Sequence, residues 1–312
     1  MNIFSAILET LQAIYQKAEV KETIRPFELD DVVSQTNILI QLNKGNLFVG
    51  SDGVPLAEGE FYFIPALTPA HIRFGKAKKY AAADMETFHQ TDGQGFFTRP
   101  MSALEDMTGK ENVFTILEFN TLLHKTIPFF SLLNLPPLVL GTEERLSSAL
   151  KQLALEEEQG NIGKDTLLKN YSHEIVILLF RYMSSQKKFT AHMDKINYLL
   201  DNRLVKVILY IQENLEKDLR NSRLAEVALI SADYFSQFFH KLTGRHPQHY
   251  VEEQRMKKAL ELVMNTSQTM KEISLRVGFQ DPAYFSRRFK IKYKKNALAT
   301  RKVDRVPKMA VV

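Results

Sequence analysis

The chain has 312 residues, 45% apolar and 25% charged, with no cysteine. That length suits about two domains with their own cores, and the composition excludes long disorder, a disulfide framework, a thiolate metal site and a cysteine nucleophile. The net charge of +5 is unevenly spread: residues 200–312 carry 22 Lys and Arg against 12 Asp and Glu, while residues 1–199 carry 19 against 24.

A basic C-terminal part joined to an acidic N-terminal part suggests a polyanionic partner for the first and a different task for the second. The longest apolar run, residues 175–180, has six residues, far short of the ~20 that a membrane helix needs. A cytoplasmic protein with no membrane partner is therefore expected.

In chain order, Ile3, Phe4, Ile7, Leu8, Leu11 and Ile14 recur at i, i+3, i+4 spacing and predict an amphipathic N-terminal helix. From about residue 24 to 140 the signals are short β-branched and aromatic runs at 36–42, 46–49, 60–64, 70–74 and 113–119. Asn43-Lys44-Gly45 and Ser51-Asp52-Gly53 supply the positive-φ positions of hairpin turns. These features predict an antiparallel sandwich or barrel. From Thr142 the period becomes helical through Leu146, Leu150 and Leu153, then Leu168, Ile175 and Leu179. The domain is expected to close near residue 185, with a polar linker at 186–203.

Beyond the linker the chain repeats itself. Tyr234-Phe235-Ser236 returns as Tyr284-Phe285-Ser286 at a lag of 50, with Phe239 matching Phe289 and Ser231 matching Asp281. One residue of slippage brings Leu224-Ala225 onto Ile273-Ser274. Each copy reads as a short helix, a tight turn and a second helix opened by an N-cap, Ser231 or Asp281, the latter followed by Pro282 at the first helical position. That is helix-turn-helix grammar, at about 222–244 and 270–293. Between the copies, Pro247 opens a predicted helix over 247–265. Its ~19 residues span roughly 28 Å, close to the ~34 Å between successive major-groove faces of DNA.

In a helix-turn-helix the second helix enters the major groove. Phe235, Phe238, Phe239, Phe285 and Phe289, together with Tyr234 and Tyr284, are expected to form the inward face. The outward candidates for base contact are Asp233, Ser236, Gln237 and His240 in the first copy and Ala283, Ser286 and Arg287 in the second. Arg287 is the sharpest, because its planar fork can bind guanine O6 and N7 together. Lys241, Arg245, Arg288, Lys290, Lys292, Lys294 and Lys295 are the phosphate candidates.

The segment from Val205 to Lys302 resembles the DNA-binding domain of the AraC/XylS family of transcription regulators. The resemblance rests on Ile273-Ser274, Val277-Gly278-Phe279-Gln280-Asp281, Tyr284-Phe285-Ser286-Arg287 and Phe289-Lys290 in the second unit. The first unit adds Leu224-Ala225, Ser231, Tyr234-Phe235-Ser236, Phe239 and Gly244, and the linker helix adds Arg255 and Ala259. Lys294, Asn296-Ala297 and Thr300-Arg301 depart from the family's Gly, Thr-Pro and Tyr-Arg, so the last turn is expected to differ.

Residues 59–65, Gly-Glu-Phe-Tyr-Phe-Ile-Pro, followed by His71, resemble the cupin-like barrel that often precedes this domain. The resemblance implies a two-domain α+β protein: a cupin-like antiparallel β-barrel with flanking helices, then an all-α domain of two helix-turn-helix units joined by a long helix. Also implied are double-stranded DNA and RNA polymerase as partners, transcriptional activation, homodimers, and a small-molecule effector. Tyr62, Ile64, His71 and Arg73, expected to alternate toward one face, are its candidate contacts. Leu146, Leu150, Leu153, Leu168, Ile175 and Leu179 are expected either to form the dimer seam or to pack on the barrel.

Two alternatives stand beside this reading. A metal-dependent cupin enzyme would need paired His; the β region offers His71, His89 and His124 without a His-x-His, so no metal, cofactor or catalytic residue is expected. His246 and His249 flank Pro247 without a general base. A degenerate regulator, binding DNA without selectivity or acting through protein contacts, is the second.

Overall fold

The computed structural model describes residues 8, 11–89, 95–98, 111–123, 127–133, 135–189, 201–243 and 245–293. The chain forms two compact units, one over Thr10–Lys187 and one built from Lys188 onward.

The first unit contains twelve strands in two sheets among the described residues: β1 Leu11–Thr23, β2 Phe27–Val32, β3 Asn37–Lys44, β4 Leu47–Val49, β5 Val54–Leu56, β6 Phe61–Ile64, β7 Ala70–Phe74, β8 Ala81–Ala83, β9 Phe97–Thr98, β10 Val113–Leu123, β11 Ile127–Pro128 and β12 Leu138–Leu140. The larger sheet runs β12-β6-β3-β10-β1-β9, with β11 beside β10; the smaller runs β5-β4-β7-β2-β8. All pairings are antiparallel except β2 with β8. The two inner faces enclose one core that includes Phe27, Ile38, Ile40, Tyr62, Ile64, Ile72, Phe74 and Phe114.

Among the described residues this unit has four α-helices: α1 Met85–His89, α2 Phe129–Leu133, α3 Glu144–Gln159 and α4 Lys164–Ser185. Phe130 of α2 meets Phe63 edge-on at 4.7 Å, and Gln41 donates to the Ser147 hydroxyl of α3 at 2.6 Å. With both faces covered, β3 is buried from Asn37 to Leu42. This is why Ile38, Leu39 and Ile40 are apolar in succession rather than alternating with polar residues.

Two expectations need correction. Leu11 and Ile14 lie on strand β1, which pairs with β10 from Leu11↔Leu123 to Glu22↔Val113, so the sheet starts at residue 11 and not near 24. Most of the other residues of the expected N-terminal helix lie outside the described residues. The strand was hidden because it buries charge. Lys21, 1% exposed, donates to the Phe88 carbonyl at 2.6 Å, lies 3.3 Å from Glu19 and sits 3.8 Å from the Phe97 ring centroid. Burial pushes its ammonium down to about 8.

The second correction concerns the turns. Ser51-Asp52-Gly53 closes the β4–β5 hairpin, but Asn43-Lys44-Gly45 carries the chain from one sheet to the other, since β3 and β4 lie in different sheets. A Cβ at Gly45 would fall 2.1 Å from the Glu111 carbonyl. Of the two roles expected for Leu146, Leu150, Leu153, Leu168, Ile175 and Leu179, packing on the barrel is the one that fits, since each is at most 3% exposed. They pack inside the unit and present no seam to a second copy.

The second unit is helical: α5 Asn202–Glu213, α6 Asn221–Ala228, α7 Ala232–Thr243, α8 Pro247–Asn265, α9 Met270–Arg276 and α10 Pro282–Tyr293. The expected linker falls mostly on residues outside the description, and its last residues, Asn202 and Arg203, are already helix. No helix among the described residues is long and apolar enough to cross a membrane.

Candidate nucleic-acid interface

The two helix-turn-helix units are α6–α7 and α9–α10. In the first, the chain turns at Leu229, whose φ of 56° places it in the left-handed region. Its amide donates to the Glu226 carbonyl at 3.1 Å, and the Ser231 carbonyl accepts from Phe235. In the second, Thr269 and Glu272 form a capping box at the start of α9. Asp281 caps α10 as expected, accepting from the Ala283 amide at 2.8 Å. Ser274 is fully buried in the elbow, where only a small side chain fits.

The apolar faces of α7 and α10 hold both helices to the unit. Phe235, Phe238, Phe239, Phe285 and Phe289 are each at most 3% exposed, a burial that contributes roughly 1.5–3 kcal/mol per side chain. Phe239 meets Tyr250 of α8 at 5.5 Å. Helix α8 also ties the units together through Arg255. Its Nε donates to the Leu215 carbonyl at 2.9 Å, its Nη2 to the Lys217 carbonyl at 2.8 Å, and it lies 6.0 Å from the Phe279 ring centroid. At the other end of α8, Gln248 donates to the Leu219 carbonyl and to Asn221, at 2.8 and 3.0 Å. These bonds fasten α8 to the segment that leads into α6, and the Arg255 contact with Phe279 reaches the turn of the second unit.

Of the residues expected to read bases, Asp233, Gln237, His240, Ala283, Ser286 and Arg287 are exposed and Ser236 is half-buried. The His240 ring stacks on His246 at 4.9 Å, and the Ser286 hydroxyl donates to the Pro282 carbonyl at 2.9 Å. The phosphate candidates divide. Lys241 and Lys290 are exposed, whereas Lys294 and Lys295 lie outside the described residues. Three others face carboxylates of α8: Arg245 pairs with Glu253, Arg288 with Glu252 at 2.5 Å, and Lys292 lies 3.8 Å from Glu253. Lys257, behind them, is buried, and desolvation lowers its ammonium to about 8.

The expected inward face loses two members. Tyr234 and Tyr284 are 47% and 41% exposed, at matching positions of the repeat and on the outward side of α7 and α10. Aromatic periodicity grouped them with the phenylalanines; their phenolic hydroxyls were the available signal that these rings could face water. Because both rings already meet solvent, Tyr284→Phe and Tyr284→Ala are expected to change stability by less than about 0.5 kcal/mol. Tyr284→Ala is expected to weaken DNA binding severalfold. Thermal unfolding and a binding isotherm on the same samples check both, and an unchanged isotherm removes Tyr284 from the interface.

The four effector candidates are not brought together. Tyr62 and Ile64 sit in the closed core between the sheets, and desolvation raises the Tyr62 phenol to about 12. His71 and Arg73 point from β7 to the opposite face, where His71 Nδ1 lies 2.7 Å from Asp30 and Arg73 donates to Glu28 at 3.3 Å. The expected shared face fails because the alternation of β7 turns Ala70, Ile72 and Phe74 into the core and His71 and Arg73 away from it.

Known proteins match this arrangement. A helix-turn-helix domain family model matches residues 224–302. The chain is 27% identical over 146 residues to the HTH-type transcriptional regulator YobQ of Bacillus subtilis, covering 46% of this chain and 61% of that protein. It is 26% identical over 244 residues to an HTH-type transcriptional regulator of Haemophilus influenzae, covering 76% of each. Among solved structures, the C-terminal domain of the two-component response regulator yesN from Fusobacterium nucleatum is 32% identical with a TM-score of 0.31, covering 32% of this chain and 98% of that one. The match thus spans less than two thirds of the length of YobQ. Residues 224–302 thus form a helix-turn-helix domain of the AraC type, in a chain similar to HTH-type transcriptional regulators.

Proposed function

We propose that the protein controls transcription by reading two successive major-groove segments of one duplex, α7 entering one groove and α10 the next. In this reading Asp233, Ser236, Gln237 and His240 face the bases of one segment, and Ala283, Ser286 and Arg287 those of the other. Lys241 and Lys290 hold phosphates. The observation that carries it is that both second helices bury their phenylalanines and expose these polar residues while α8, roughly 28 Å long at 1.5 Å per residue, separates them. Selection from random DNA with the full chain tests it. The expected product is a site of roughly 15–20 base pairs with two conserved blocks about one turn apart. Unselective binding that falls steeply with salt overturns it, because only the phosphate contribution would then remain.

The N-terminal unit is the regulatory part of this reading, with residues 1–185 as the sensing domain, 186–203 as linker and 204–312 as the DNA-binding domain. Dimers, an effector and contact with RNA polymerase, as an activator, complete it. The core around Tyr62 and Ile64 is filled, so the effector is assigned instead to a groove of about 510 Å³ between α3, α4 and the start of β1. Arg145, Lys169 and Arg181 rim it over Leu11, Ile177 and Leu178, with Glu174 4.0 Å from Arg145, a lining whose excess of cations suits an organic anion with an apolar body. A panel of aliphatic and aromatic monocarboxylates is expected to raise the melting temperature of the wild type but not of Arg145→Ala/Arg181→Ala. The matching neutral amides are expected to do nothing; equal shifts from acids and amides, or none from either, overturn the assignment.

A further inference from the structure

We propose that Glu252 restrains the sequence-independent part of DNA affinity by holding Arg288 away from phosphate. The inference rests on the DNA-binding reading and concerns a carboxylate on α8 that takes no part in base recognition.

Arg287 and Arg288 are neighbours on α10, but about 100° of helical rotation separates them. The first projects outward. The second is turned toward α8, where its Nε meets Glu252 Oε1 at 2.5 Å. The nearby pairs are not equivalent. Arg245 and Glu253 are 14% and 11% exposed, and Glu253 also faces Lys292 at 3.8 Å, with the buried Lys257 close enough to feel its charge. A carboxylate in that position belongs to the packing of the unit. Arg288 and Glu252 are 39% and 25% exposed, open enough to water for the pair to exchange with another anion. Beside them is a cavity of about 150 Å³, lined among others by His249, Met256 and Ile291, which leaves the guanidinium room to swing.

The consequence follows from counterion release. Each cation that neutralises a phosphate adds about 0.9 to the steepness of log K against log salt on B-DNA. While Arg288 is paired with Glu252 it adds nothing to that sum. Phosphate contacts carry no base information, so a built-in carboxylate that occupies one guanidinium lowers the affinity for every duplex. Non-specific sites vastly outnumber the operator, so this restraint limits their hold on the protein.

The test is a four-member cycle in the full chain: wild type, Glu252→Gln, Arg288→Gln and the double variant, each titrated with random duplex DNA at several salt concentrations and each melted without DNA. Glu252→Gln is expected to tighten binding roughly threefold to tenfold at low salt and to steepen the slope by about 0.9. In the Arg288→Gln background the same substitution is expected to change neither. Equal tightening in both backgrounds means that only the lost negative charge matters and overturns the proposal. So does weaker binding by Glu252→Gln, which would make the carboxylate a support that presents Arg288 to phosphate, and so does no change. Glu252→Gln is isosteric, Arg288→Gln shortens a side chain that is 39% exposed, and the pair is partly open to water, so all four are expected to melt as folded proteins. A wild type that binds no duplex at all refutes the DNA reading itself; a wild type that binds while the cycle shows no coupling refutes this inference alone.

Discussion

Replacing Gly278 by alanine is expected to cost the C-terminal unit on the order of 3 kcal/mol and to abolish high-affinity DNA binding. Gly278 turns the chain between α9 and α10 at φ 90°, a conformation that costs a side-chain-bearing residue roughly 1–3 kcal/mol. Space is tighter still. A Cβ there would stand 2.3 Å from the Leu215 carbonyl oxygen and 2.7 Å from Arg255 Nη2, the groups that join the second helix-turn-helix to the end of α5. Since the obstacle is backbone, it cannot rotate away. Either the turn moves off or Arg255 gives up its two carbonyls, and charge-assisted bonds of that kind are worth roughly 1.5–3 kcal/mol each.

For a unit of about 100 residues the loss corresponds to a fall in Tm of roughly 10–20 °C. Calorimetry, with binding to the selected site measured well below the transition, separates the two effects. Because the same contacts seat the turn that leads into α10, binding is expected to fail even where the variant remains folded. A melting temperature within about 2 °C of the wild type would show that the turn relaxes without cost and would sink the argument.

Arg287→Ala is expected to have the largest effect on sequence preference. The side chain is exposed on the outward side of α10, opposite the buried Phe285 and Phe289, and its removal takes nothing from the core. If it forks onto a guanine, the selected site loses roughly 1–3 kcal/mol while random DNA loses far less. Lys290→Ala is the contrast: as a phosphate contact it is expected to weaken both DNAs alike and to flatten the salt slope by about 0.9. Competition titrations with selected and random duplexes decide the matter. Equal losses on both for Arg287→Ala would reassign it to phosphate.

These expectations use both what the chain shows as text and what it shows as a solid. The duplicated aromatic and capping pattern was readable because each helix-turn-helix repeats a local grammar: Asp281 caps α10 and the phenylalanines fill the inward face. The same grammar misplaced Tyr234 and Tyr284, since helical periodicity marks a stripe but not its edge. In the N-terminal unit, Glu19 and Lys21 disguised a central strand. A buried ion pair reads as a polar, solvent-facing stretch until its partner element is known.

The phosphate candidates show the limit most clearly. Arg288 and Glu252 are 36 positions apart, and nothing local announces that they meet. Arg245 and Lys292 were indistinguishable from Lys241 and Lys290 as letters, yet only the first two face a carboxylate of α8.

By itself, then, the sequence determined the two-part charge division, the repeat, the helices of the C-terminal unit and the Asp281 cap, because the repeat, helices and cap depend on spacing within about one turn. Only the tertiary structure decided which cations are free to meet DNA, which aromatics face outward and which glycine is locked against a carbonyl. Those outcomes depend on desolvation and on contacts between segments far apart in the chain, and no local periodicity encodes them.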